Sequence, residues 1–166
     1  MKQIELQHFG SIDLDNLEED YSAKTEFNGQ TIRLDLNFEN KSISEEHAGN
    51  IKKFLDNILA YDLQNKIVIN KDFKEEGESL DYINFFFEEL DEEELRGIID
   101  FGNQDEQKEK LLLNKLRLIR VGIYPEYSEY YGVFDYSIDI DGEPCNQLLV
   151  VKTDNGGELN HVTWES

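Results

Sequence analysis

Hydrophobic positions alternate with polar ones twice within the first forty residues, and the two runs meet at a turn. Tyr21, Ala23, Thr25 and Phe27 take every second position up to Asn28-Gly29, and Ile32, Leu34, Leu36 and Phe38 resume the alternation beyond it. Period two puts one set of side chains on a single face of a strand. Asn-Gly accepts the two positive-φ conformations of a tight turn, so the pattern predicts an N-terminal β-hairpin. A shorter run, Ile4 to Phe9, stops at Gly10 and predicts an additional edge strand.

After Lys41 the period lengthens. Ile51, Phe54, Leu55, Ile58 and Leu59 fall at i, i+3, i+4, i+7 and i+8, the apolar stripe of an amphipathic helix. Ser44 suits the N-cap, and Glu45 and Glu46 suit the first turn, where the helix dipole favours negative charge. From Asp62 to Phe73 the signal is mixed. Leu63, Ile67 and Ile69 fit a second helix or a strand, and Ile67-Val68-Ile69 leans towards a strand by composition. Ser79 to Leu90 returns to helical spacing through Leu80, Ile83, Phe86, Phe87 and Leu90. A short helix from Asp91 to Ile99 follows, Gly102 breaks the run, and Gln104 to Leu113 suggests one more helix.

The last third reverts to period two. Leu116 to Tyr124 reads as a strand buried on both faces, with Arg117 and Arg120 as exceptions. Val133 to Ile140 alternates through Phe134, Tyr136 and Ile138 and stops at Asp141-Gly142. Gln147 to Thr153 and Leu159 to Trp164 are two further strands across Asp154-Asn155-Gly156-Gly157. Short links between successive strands predict antiparallel pairing. No repeat, linker or change of composition divides the chain. The expectation is a single α+β domain over residues 1–166, with an N-terminal β-hairpin, central helices and a C-terminal antiparallel β-meander.

Composition narrows the function. The 166 residues are 39% hydrophobic and 11% aromatic, enough for a packed core. Against 16 Lys and Arg stand 37 Asp and Glu, a formal charge of −21. That charge repels nucleic acid and anionic membranes and admits cations and basic proteins as partners. It also serves solubility without any partner. Cys145 stands alone, which excludes an intramolecular disulfide and suits a reducing compartment. The N-terminal MKQIELQHFGSIDLD carries no apolar segment of a secretory signal, and no stretch has the apolar length of a membrane span, so a cytoplasmic address is expected.

Motifs with defined chemistry fail on particular positions. Aligning Gly142 with the turn glycine of a calcium loop brings Asp139 and Asp141 into register, but Leu148 falls where a bidentate Glu is required. Asp13-Leu14-Asp15-Asn16 has no glycine at the needed place, and turn formation explains both segments better. His8, His47 and His161 show no metal-ligand spacing. There is no nucleophile elbow, no base beside Cys145 and no phosphate-cradling glycine loop. No metal and no cofactor is expected, and no catalytic residue is nominated. A carboxylate pair assembled in three dimensions stays open as a minor alternative.

Two surface features stand out. Between Asp72 and Glu109 the chain carries Glu88, Glu89, Asp91, Glu92 and Glu93 among other acids, with few bases. Like charges at helical i,i+3 and i,i+4 spacing cost a few tenths of a kcal/mol per pair, so such a face suits a basic partner. The second feature is the loop Pro125-Glu126-Tyr127-Ser128-Glu129, in which tyrosine and acid are interleaved. Tyr124 and Tyr136 are expected to pack on the sheet, leaving Tyr127 and Tyr130 free to meet a partner.

Several strings resemble the bacterial DUF2004 family. They are His8-Phe9-Gly10-Ser11-Ile12-Asp13-Leu14-Asp15, the Asn28-Gly29 hairpin and Ile119-Arg120-Val121-Gly122-Ile123-Tyr124-Pro125. Val133-Phe134-Asp135-Tyr136-Ser137-Ile138 and Gln147-Leu148-Leu149-Val150-Val151-Lys152 look similar to its closing segment. The resemblance covers most of the chain, consists of structural strings and implies no catalytic residue. Small acidic α+β proteins of this kind also look like immunity proteins of bacterial toxin systems, which implies a basic protein partner such as a toxin domain. The expectation is a non-catalytic protein-binding domain, monomeric or homodimeric, acting through Glu88, Glu89, Asp91, Glu92, Glu93, Tyr127 and Tyr130. The alternative is a housekeeping protein whose acidity serves solubility, assembling through an exposed sheet edge; a hydrolase using carboxylates or a metal is the lesser one.

Overall fold

The computed structural model of the chain describes residues 2–102 and 107–166. The expected hairpin forms as β3 (Asp20–Phe27) and β4 (Gln30–Asn37), antiparallel from Asp20↔Asn37 to Phe27↔Gln30. Asn28 and Gly29 take φ values of 53° and 76°, the conformation for which the dipeptide was selected. The segment before it does not join that sheet. Gln3–Leu6 (β1) pairs with Gly10–Asp13 (β2) in a hairpin of its own, because His8 turns the chain at φ 75°. Ile12 and Leu6 bury their side chains in the common core, which anchors this hairpin by packing.

The helical third begins as the caps require. α1 (Glu45–Asp56) starts at Ser44, whose side chain accepts the His47 N–H at 3.1 Å. The stripe ends earlier than its spacing suggests: Asn57 interrupts the helix, and Leu59 is 46% exposed. α2 spans Ile58–Lys74, so Ile67-Val68-Ile69 is helical despite its β-branched composition. Ile58, Tyr61, Asp62, Asn65, Ile69 and Phe73 form its buried stripe, and packing along that stripe outweighs the propensity of three residues. α3 (Glu78–Glu89) buries Ser79, Tyr82, Ile83 and Phe86. The inward stripe is therefore rotated from the expected one, and Leu80, Phe87 and Leu90 are half-buried flanks. α4 (Glu92–Arg96) and α5 (Lys108–Leu113) are short. The expected helix start at Gln104 lies outside the described residues.

The closing third is β5 (Arg117–Ile123), β6 (Gly132–Ser137), β9 (Leu148–Thr153) and β10 (Leu159–Glu165), with a small hairpin, β7 (Asp139–Ile140) and β8 (Glu143–Pro144), set aside from them. One six-stranded sheet results, in the order β10-β9-β6-β5-β4-β3. Its meander is antiparallel from β5 to β10, whereas β4 and β5 run parallel and are joined through the helices. The fold is α+β. Phe134, Tyr136 and Trp164 meet Phe54, Asp62 and Tyr82 on the helical face. The opposite face is polar: Arg120 reaches Asp35 at 2.5 Å and Asp135 at 3.1 Å, and Arg33 reaches Asp35 at 2.9 Å. Burial raises the Asp135 carboxyl and is opposed by the adjacent Arg120 guanidinium.

Candidate functional site

The polar end of the molecule is built where β5 stops. Tyr124 to Tyr131 bridge β5 and β6, and backbone bonds from Tyr124 N to Tyr131 O and from Tyr131 N to Thr153 O, both 2.8 Å, close the loop at its base. Its flanks are fixed as well. The Glu126 carboxylate accepts from the backbone N–H groups of Glu39 and Asn40 and from the Asn40 side chain at 2.8 Å. The Asn160 amide donates to the Glu129 carbonyl at 2.8 Å. A loop held to three other segments has little left to order when it binds, which favours affinity.

Between this loop, the first turns of α1 and the β9–β10 turn lies a cleft of about 430 Å³. Tyr127, Tyr130 and Tyr131 line it with Glu129 on the loop side. His47 and Asn50 of α1 face them, and Asp154, Asn155 and Asn160 complete the wall. The β9–β10 turn is rigid because the Asp154 carboxylate accepts the N–H groups of Gly156 and Glu158, both at 2.9 Å. Among the described residues, the lining of the cleft contains no Lys or Arg.

The aromatic rings are ordered by one another. Tyr130 stands against Tyr127 at 4.5 Å and edge-on to Tyr124 at 5.7 Å. Lys152 Nζ lies 4.8 Å from the Tyr130 ring centre, a cation–π contact. Deeper in, Tyr131 packs on Phe54 at 5.2 Å, and burial raises its phenol well above the ordinary range. Its hydroxyl is buried without a hydrogen-bond partner among the described residues. The carboxylate of Glu129, followed by burial and Tyr130, raises the Tyr127 phenol, whose hydroxyl donates to Glu129 at 3.3 Å.

The seven residues nominated from sequence do not meet on one surface. Tyr127 is 40% exposed at the cleft and Tyr130 half-buried within it. Glu88, Glu89, Asp91, Glu92 and Glu93 are exposed at the other end of the sheet, where α4 borders a hollow shared with Lys115, Arg117 and Asp139 near the start of β5. Seven residues of β5 at about 3.3 Å each separate the two regions by roughly 20 Å. Part of the helical acidity also has local work. Asp91 caps α4, accepting from Glu94 N–H at 2.8 Å, while the Glu94 carboxylate accepts from Asp91 N–H at 2.9 Å. Glu92 pairs with Arg96 at 2.6 Å, and that hydrogen bond holds its carboxyl below the usual range.

Asp139 and Asp141 serve a turn. Asp141 and Gly142 adopt φ values of 54° and 83° between β7 and β8, and Asp139 pairs with Arg117 at 3.0 Å. The cleft residues missed from sequence are His47, Asn50, Tyr131, Asp154, Asn155 and Asn160. They come from three separated segments, and none carries a short-range motif. No family model, no curated protein and no solved structure matches the chain.

Proposed function

We propose that this protein is a non-catalytic binding domain for a basic protein, with the Tyr124–Tyr131 end of the sheet as its docking surface. A preformed cleft of tyrosine faces and carboxylates, with no Lys or Arg among the described residues of its lining, carries the reading. Tyrosine provides rigid contact area at small entropic cost, and the carboxylates favour a cationic counterpart. The overall charge of −21 extends the attraction beyond contact distance and speeds encounter. A toxin domain with a basic active-site cleft has the matching chemistry, which makes an immunity-type inhibitor in the cytoplasm the reading this surface supports best. Glu88, Glu89 and Glu93 contribute to steering under this reading and do not share the contact surface.

Affinity capture with the tagged full chain, followed by association kinetics on the purified partner, tests the proposal. A basic partner whose association rate falls steeply between 50 and 300 mM salt (on the order of tenfold), and which loses affinity with Tyr130→Ala, is expected. A salt-independent rate, or a partner indifferent to the cleft, refutes it.

A separate observation favours a second reading, assembly of two copies. Leu59, Leu63 and Ile67 are 46%, 65% and 71% exposed, and their i, i+4, i+8 spacing sets them in one row along α2. The other exposed residues of α2 include Lys66, Lys71 and Lys74 and no carboxylate. Two chains of charge −21 repel least where each presents no acid, and lysine stems extend apolar contact while their heads stay in water. The sheet edges suit assembly less well, because β3 is an edge strand bearing Asp20, Lys24 and Glu26.

A further inference from the structure

We propose that Arg120 is the positioning residue of the docking loop: from the open face of the sheet it aims Tyr124, and through Tyr124 it sets the rings of Tyr130 and Tyr127. The inference rests on the loop being the docking surface, and it names the group outside the cleft that keeps this surface preformed. Arg120 lies within β5, and each of its three guanidinium nitrogens has a different partner. Nε donates to the Asp35 carboxylate, Nη1 to Asp135 at 3.1 Å and Nη2 to the Tyr124 hydroxyl at 3.0 Å. Asp35 and Asp135 stand on β4 and β6, the two strands that flank β5, so they fix the guanidinium from both sides. Neutralising one positive charge requires no third partner, and none so far along the chain.

Tyr124 follows Arg120 by four residues, roughly 13 Å at about 3.3 Å per extended residue. The two side chains close that gap by reaching towards one another over Gly122. A Cβ built on Gly122 would lie 2.8 Å from Nη2 of Arg120 and 2.9 Å from Cε2 of Tyr124, closer than a side chain tolerates. Glycine inside a strand weakens it, because it has no side chain to pack. Here the missing side chain is the passage through which Arg120 grips Tyr124.

The grip is passed on through ring contacts. Tyr124 stands edge-on to Tyr130 at 5.7 Å with the planes at 90°, and Tyr130 meets Tyr127 at 4.5 Å. A tyrosine held by its hydroxyl keeps one rotamer, and an edge-to-face neighbour is ordered by it in turn. Neither Arg120 nor Tyr124 lines the cleft, so both act on it through Tyr130. Rings ordered before a partner arrives have less freedom to lose on binding.

Proton NMR on the free full chain reads the rings, as nuclear Overhauser contacts from Tyr124 to Tyr130 and from Tyr130 to Tyr127. The Phe85–Trp164 pair, 5.2 Å apart on the helical face, reports that each variant is folded. Tyr124→Phe removes only the gripped hydroxyl, and loss of the contact between the ring at position 124 and Tyr130 is expected. Arg120→Lys keeps the charge but replaces the planar fork by one nitrogen, and Gly122→Ala keeps both partners with a methyl group between them. Both should give the same loss with the Phe85–Trp164 contact intact. Arg33→Gln removes a different bond to Asp35 and should leave every tyrosine contact unchanged. Retention of both ring contacts in Tyr124→Phe overturns the positioning role, and so does an equal loss in Arg33→Gln, which would assign the effect to the ion pairs at large. Because the free chain is measured, such a failure leaves the docking surface standing, whereas a basic partner indifferent to the loop ends the docking surface alone.

Discussion

Gly157 ties the integrity of the cleft to a single missing methyl group. It ends the β9–β10 turn at φ 77°, and a Cβ built there runs into Cδ1, Cε1 and Cγ of Tyr61, a ring only 9% exposed. Gly142 provides the control, since its φ is 83° and no atom lies within 4 Å of a built Cβ. Alanine at either position takes on the left-handed conformation, about 1–2 kcal/mol, and recovers roughly 0.4–1 kcal/mol from the less flexible unfolded chain. Gly142→Ala should therefore cost about 1 kcal/mol. Gly157→Ala adds displacement of a packed ring, about 1–3 kcal/mol, for a total near 2–4 kcal/mol. Urea unfolding followed by Trp164 fluorescence measures both. With a slope near 2 kcal/mol/M the midpoints fall by roughly 0.5 M and 1–2 M. Equal losses within about 0.5 kcal/mol would refute the close approach of turn and ring. Because the same turn presents Asp154 and Asn155 to the cleft, Gly157→Ala should also broaden the resonances of Tyr130 and Tyr131, and Gly142→Ala should not.

Two further outcomes rest on other parts of the fold. Burial holds the Tyr82, Tyr131 and Tyr136 phenols far above their ordinary value near 10, whereas the unfolded chain ionises them at that value. The native state then keeps protons that the unfolded state releases, so stability falls as pH rises above 10, by about 4 kcal/mol per pH unit if all three stay neutral. Tyrosinate absorbance should show these groups titrating only with unfolding; three ordinary phenols titrating in the folded protein would contradict the burial. On α2, Leu63→Gln with Ile67→Gln should leave the unfolding midpoint within about 0.5 kcal/mol of the parent, because both side chains are largely exposed. Light scattering should show two chains before the change and one after it; a single chain in both ends the assembly reading.

The elements were legible wherever one local rule dominated. Asn28-Gly29 announced its hairpin through a conformational need, and Ser44 announced α1 through an orphan N–H. Legibility failed where burial on two sides or tertiary packing mattered. α2 carries Ile58, Ile69 and Phe73 towards the core and Leu59, Leu63 and Ile67 towards solvent, so neither helical face is uniformly polar and its period is blurred. In the same way the run Ile4 to Phe9 was readable as a strand only as far as Leu6, and its partner β2 was not, because pairing depended on the turn at His8.

The candidate site was legible only in its contiguous part. The interleaving of Tyr127, Glu129 and Tyr130 is visible along the chain, and the loop does form the edge of the cleft. The opposing wall comes from His47, more than seventy positions earlier, and from Asp154, more than twenty later, and is set by sheet order. Charge runs along the sequence do not say which acids share a surface, for the complementary reason. Glu88 to Glu93 form the densest acidic stretch, yet Asp91 is spent on a helix cap and Glu92 on Arg96, while none of the five borders the cleft. A carboxylate acts at a site according to what surrounds it. Glu129 stands beside the paired rings of Tyr127 and Tyr130, whereas the acids of α3 and α4 face water, so the two sets of carboxylates differ in setting more than in number.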